Sequence, residues 1–121
     1  MFFCLFTGSY GQTSSKINDL LLQLNQAKSN QQKIILLQKL AALEIKQKRY
    51  NQAIIHSNQA SGLARSTNAK LEEAKSLMLL GEAYQNKGQY TNALEHYLQA
   101  QSIFENSKNK LLLANANLKL G

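Results

Sequence analysis

The chain repeats itself. Residues about 40 positions apart agree: Tyr50 with Tyr90, Ala53 with Ala93, His56 with His96, Gln59 with Gln99, Ala60 with Ala100, and Leu37 and Leu40 with Leu77 and Leu80. The same step carries Lys70, Leu71 and Ala74 onto Lys110, Leu111 and Ala114, and Leu80-Gly81 onto Leu120-Gly121. Apolar and polar positions keep one register across three copies, which chance would not produce. A unit of this length cannot bury an apolar face alone, so it is completed by stacking on its neighbours. The constraint is severe: the chain folds as a one-dimensional array.

Within one copy the spacing is helical. Leu77, Leu80 and Tyr84 recur at i, i+3 and i+7 and share one face, and Ala93, Tyr97 and Ala100 form a small-large-small stripe on a second helix. Gly81 lies inside the first helix, where glycine costs roughly 1 kcal/mol against alanine, so a neighbouring helix is expected to approach too closely there for a side chain. Gly88 suits a left-handed helix end, and Asn92 followed by Glu95 predicts the next helix start. The predicted helices run over about 32–48, 51–65, 69–87, 92–106 and 109 onward. Ser66-Thr67-Asn68 and Ser107-Lys108-Asn109 are the turns between repeats. Glu72 and Glu73 in a first helical turn suit the helix dipole. Ahead of the repeats, Ile17, Leu20, Leu21 and Leu24 predict a lead-in helix over residues 12–30, with no counterpart at the repeat offset and Ser29-Asn30 as the cap of the next helix.

These residues resemble the tetratricopeptide repeat. That family places a large apolar residue, Leu-Gly and Tyr on the first helix, then Ala, an aromatic and Ala on the second. Leu77, Leu80, Gly81, Tyr84, Ala93, Tyr97 and Ala100 fill the seven places in order. The earlier copy departs from the pattern: Ala41 replaces the glycine, Glu44 the first aromatic and Ser57 the second. The common repeat is about 34 residues, so this period corresponds to helices a turn longer. The chain contains no proline, although one usually ends each repeat. The resemblance covers residues 34–121. It implies an all-α fold of antiparallel helix-turn-helix units stacked as a right-handed solenoid, with a degenerate repeat over 31–68, a full one over 69–108 and the first helix of a third over 109–121.

The ends carry their own expectations. Met1 to Tyr10 is apolar and uncharged, and Ser9 and Gly11 suit a cut ahead of Gln12. This predicts a clipped signal peptide over 1–11, with an N-terminal arm as the alternative, and an exported protein, periplasmic or in the cell envelope, with the cytoplasm as the alternative. The single cysteine, Cys4, falls in this segment. At the other end, a first helix over 109–121 predicts self-association through its open side. A leader followed by such repeats is analogous to the sensory front of larger bacterial signalling proteins, so an enzyme or transcriptional output beyond residue 121 is the alternative to a pure interaction module.

Chemistry is sparse. The chain has no phosphate-binding glycine loop, HExxH pair, CxxC pair or nucleophile elbow, and neither a catalytic site nor a cofactor is predicted. His56 and His96 are expected on the repeat surface, facing neither apolar stripe. Fourteen basic against seven acidic residues give a net charge of +7. Lys33, Lys39, Lys46, Lys48 and Arg49 surround one helix and its turn without the interleaved aromatics of a stacking platform, which argues for a solvated surface and against nucleic acid. No run of about 18 apolar residues spans a membrane. In the family the first helices line a concave groove that takes a peptide or protein. By the resemblance, the groove residues are Gln38, Ala42 and Ile45, then Lys75, Met78, Glu82 and Gln85.

Overall fold

The computed structural model describes residues 8–107, with side chains from residue 15. Five helices follow one another: α1 (Gly8–Gln26), α2 (Asn30–Lys46), α3 (Tyr50–Ser66), α4 (Lys70–Asn86) and α5 (Tyr90–Ser107). Each packs on the next, and α2 also packs on α4. The described residues therefore form a stacked helical solenoid, as the period requires. Residues 108–121, which carry the predicted third repeat, and residues 1–7 of the predicted leader lie outside the described residues.

The helices march in equal steps. α2, α3, α4 and α5 start at residues 30, 50, 70 and 90, and α1 to α4 end at 26, 46, 66 and 86. The three turns between α2 and α5 share one geometry. Lys48, Asn68 and Gly88 are left-handed, with φ of 62°, 61° and 89°. At each turn that residue's N–H donates three residues back, to Ile45, Arg65 and Gln85, and the following N–H donates five back, to Glu44, Ala64 and Tyr84. This is the Schellman arrangement, which satisfies the last carbonyls of a helix. The expected glycine end at Gly88 is thus present, and Lys48 and Asn68 adopt the same conformation without being glycine.

Two local expectations need correction. α5 begins at Tyr90, and Asn92 lies inside its first turn with its amide donating to Gln89 Oε1 at 3.2 Å; the turn geometry, set by Gly88, starts the helix before the capping pair is reached. α1 does have a counterpart: it ends in step with α3, and Ile17 occupies the station of Ser57 and Tyr97, all three buried. The offset comparison misses this because Ile17, Leu20 and Leu24 stand against Ser57, Ala60 and Ala64, which agree in burial tendency but not in identity. α1 packs on α2, as α3 packs on α4. Its backbone continues through Gly11 and Gln12. Ser29 caps α2 as expected, accepting from the Gln32 N–H at 3.1 Å.

The core runs along the stack. Ala74, Leu77, Leu80, Ala100 and Phe104 form one cluster, and Ala41, Ala53 and Ala83 another; Ile54 of α3 touches both and links the repeats. Small residues dominate where helices cross, which permits close approach. At Gly81 an added Cβ would lie 2.5 Å from the Tyr97 ring, so the mid-helix glycine is required by the neighbouring helix. At the equivalent place in the first pair, Ala41 is accommodated because Ser57 stands where Tyr97 would be.

The histidines are half-buried and turn toward the preceding helix, where the sequence led us to expect the open surface. His56 turns toward α2, and its Nδ1 lies 2.8 Å from Oε1 of Glu44, a carboxylate only 2 % exposed. His96 stacks on Tyr84, ring centres 5.4 Å apart and planes within 12°. Both histidines reach the same station on the preceding helix, because Glu44 and Tyr84 are themselves one period apart. A buried carboxylate needs such a partner; an aromatic ring offers its face instead.

Candidate functional site

α2 and α4 lie side by side, so the face they share is built from the first helices of consecutive pairs. The junction is tied at Gln38, whose Nε2 donates toward the Glu72 carbonyl at 3.2 Å, Glu72 Oε1 at 3.1 Å and Ser76 Oγ at 3.1 Å. Ser76 in turn donates to the Glu72 carbonyl at 2.9 Å. Gln38 is therefore held in one orientation by α4 and is half-buried.

The remaining groove residues divide by exposure. Ala42, Lys75 and Gln85 are exposed, whereas Ile45, Met78 and Glu82 are half-buried. Ile45 packs against the Ala41, Ala53 and Ala83 cluster, and Met78 against the Ala74 and Leu77 cluster. Lys75 Nζ stands 3.8 Å from Glu72 Oε2, one helical turn away. Gln85 accepts the Tyr97 hydroxyl at 2.7 Å. That phenol is pushed up to about 12, first by burial and then by the nearby Glu82 carboxylate.

The arrangement suits recognition. It offers exposed Ala42 and Lys75, a fixed amide at Gln38 and half-buried apolar surface at Ile45 and Met78, on rigid helices. The sequence named these positions by resemblance and gave no place to the polar junction of Gln38 with Glu72 and Ser76. The signal was available: Ser76 is a small polar residue between Ala74 and Leu77, where a helix facing only solvent or core would not need one.

Acidic groups elsewhere are structural. Glu73, nearly buried, is held by Arg65 Nε at 2.9 Å, with Lys70 Nζ 3.8 Å away. Glu72 and Glu73 point to different neighbours. Among the described residues no group of three or more histidine, cysteine, aspartate or glutamate side chains could hold a metal ion, and no helix is long and apolar enough to cross a membrane.

The family model described as Tetratricopeptide repeat matches residues 31–106. No curated protein and no solved structure matches the chain. The matched span begins at α2 and runs to the last turn of α5, so it coincides with the two helix pairs whose shared face is described above. Members of this family are in general protein-protein interaction modules and non-enzymatic scaffolds. With its helix pairs, its Gly81–Tyr97 contact and its match over more than half its length, the chain belongs to the tetratricopeptide-repeat family.

Proposed function

We propose that the chain is a protein-binding module in which the face shared by α2 and α4 receives an extended peptide or a helix of a partner. The observation that supports it is the combination at that face of a fixed amide, Gln38, with exposed Ala42 and Lys75 and half-buried Ile45 and Met78. Fixed polar groups among apolar ones give orientation as well as area. A backbone already fixed in helices and an amide already held at Gln38 lose little freedom on binding, which favours affinity.

A photo-crosslinking residue placed at Ala42 or Lys75, with the same residue at exposed Ile55 of α3 for comparison, tests the reading in cells. Protein adducts are expected from the first two positions and not from the third. Adducts from Ile55 alone would move the binding surface off the shared face.

A further inference from the structure

Charge is distributed unevenly among the turns of the stack. At the α3–α4 turn cations are answered by carboxylates, Arg65 and Lys70 by Glu73 and Lys75 by Glu72, whereas Lys28 and Lys33 at the α1–α2 turn have no such partner among the described residues. At the edge holding the α2–α3 and α4–α5 turns, Lys46, Lys48, Arg49 and Lys87 are all exposed. Among the described residues none of these four pairs with a carboxylate. The one acidic side chain of the first turn region, Glu44, is buried against His56.

The two turns form one continuous surface. Lys87 Nζ donates across to Asn51 Oδ1 at 2.7 Å, joining the end of α4 to the start of α3. Tyr50 and Tyr90 open α3 and α5 beside the cations; Tyr50 is half-buried and Tyr90 is 68 % exposed. Two rings thus stand at the helix starts that follow the cations, one directly after Arg49 and one three residues after Lys87.

We propose that this edge is a docking surface for an acidic segment of a partner protein, separate from the face shared by α2 and α4. The inference rests on the reading that the chain binds proteins. Four unanswered cations on two adjoining turns attract a polyanion, and their spacing fits a peptide: packed helices lie about 8–10 Å apart, the reach of about three extended residues. Single-stranded nucleic acid uses a succession of exposed rings on which bases stack, and only Tyr90 presents one fully. Membrane surfaces also attract basic clusters by charge, but firm attachment adds a buried apolar face, and Tyr90 with Leu94 a turn further on is too little for one. Charge complementarity therefore favours carboxylates on a protein.

The test uses the whole chain and a glutamate-rich peptide of about ten residues, long enough when extended to span both turns. Its binding is expected to weaken by at least about tenfold in Lys48→Glu/Arg49→Glu and in Lys46→Glu/Lys87→Glu, and to fall with added salt. Lys28→Glu/Lys39→Glu, which changes net charge equally elsewhere, is expected to keep most of the affinity. Helical circular dichroism confirms folding of each variant. Equal weakening in all three variants would show only net charge at work and would overturn the edge, as would failure of the peptide to bind. Tighter binding of an oligonucleotide or of phosphatidylserine vesicles at the same ionic strength would overturn the choice of a protein segment. Crosslinking at Ala42 is independent of these outcomes, so losing the edge and losing the shared face are distinguishable.

Discussion

The two helix pairs solve the same packing problem with different residues. In α4–α5 a large ring, Tyr97, fills the space between helices and Gly81 makes room for it. In α2–α3 the ring is Ser57, the glycine is Ala41, and both are fully buried. One station along, His96 lies on the face of Tyr84 with its buried Nδ1 unpartnered, whereas His56 uses the same nitrogen to meet the Glu44 carboxylate. Ala41 for the glycine and Ser57 for the ring answer each other across the helix boundary, whereas Glu44 in place of Tyr84 keeps the same histidine partner and changes how it is used. Degeneracy here is a change of contacts, and the geometry survives because each changed residue is still met by a fitting side chain on the facing helix.

The largest test of that view removes the ring. Tyr97→Ser is expected to cost about 3–5 kcal/mol, as for other large-to-small changes in a core. In that background Gly81→Ala should change sign, from a loss of about 1–3 kcal/mol through overpacking to a gain of about 1 kcal/mol in helix propensity. Urea unfolding of the four proteins of the cycle measures the coupling; additive effects would refute the exchange.

His56→Ala strands a buried carboxylate and should cost about 3 kcal/mol. Glu44→Tyr, which gives the first pair the ring of the second, is expected to cost less because His56 can then stack as His96 does. Thermal unfolding ranks the two, and a greater loss from Glu44→Tyr would sink the equivalence.

A smaller difference concerns alkali. The Tyr97 phenol titrates near 12 in the fold and near 10 when unfolded, so between those values the unfolded state binds fewer protons. Stability is then intact below about pH 10 and falls as pH rises toward 12, by about 3 kcal/mol in all. Tyr97→Phe should flatten this contribution to the alkaline limb of a pH-dependent unfolding series. Ser57, the counterpart in the first pair, contributes no such slope.

The smallest expected effect lies in the turns. Lys48 is left-handed where the second pair has Gly88, so Lys48→Gly should stabilise by about 1 kcal/mol and Gly88→Ala destabilise by a similar amount. Denaturant midpoints at constant slope provide the comparison.

Much of this was legible in the residues. Gly81 betrayed the close approach because a mid-helix glycine is unfavourable without one, and the Leu and Ala stripes marked the buried faces. Asn68 lay in a predicted turn and asparagine tolerates the left-handed region, but Lys48 was harder, since lysine has no such preference and only the repeat of the turn geometry reveals its conformation. The histidines were misplaced because each was judged against its own helix, while its partner lies 12 residues earlier on another. Comparing Glu44 with Tyr84 alongside His56 with His96 contains that information. Of the shared face, the positions followed from the family resemblance, but the tying of Gln38 to Glu72 and Ser76 depends on how α2 and α4 meet, which no local pattern encodes.

The α2–α3 and α4–α5 turns within pairs and the α3–α4 turn between them have the same backbone bonds and the same three-residue length. From α2 to α5 the array consequently has no privileged seam. A duplication or excision of two consecutive helices, begun at any of these bends and closed at the like bend one period on, joins ends that already fit. Genetic lengthening or shortening of such a protein needs no newly invented connector, and its reach along a partner is free to change by whole increments.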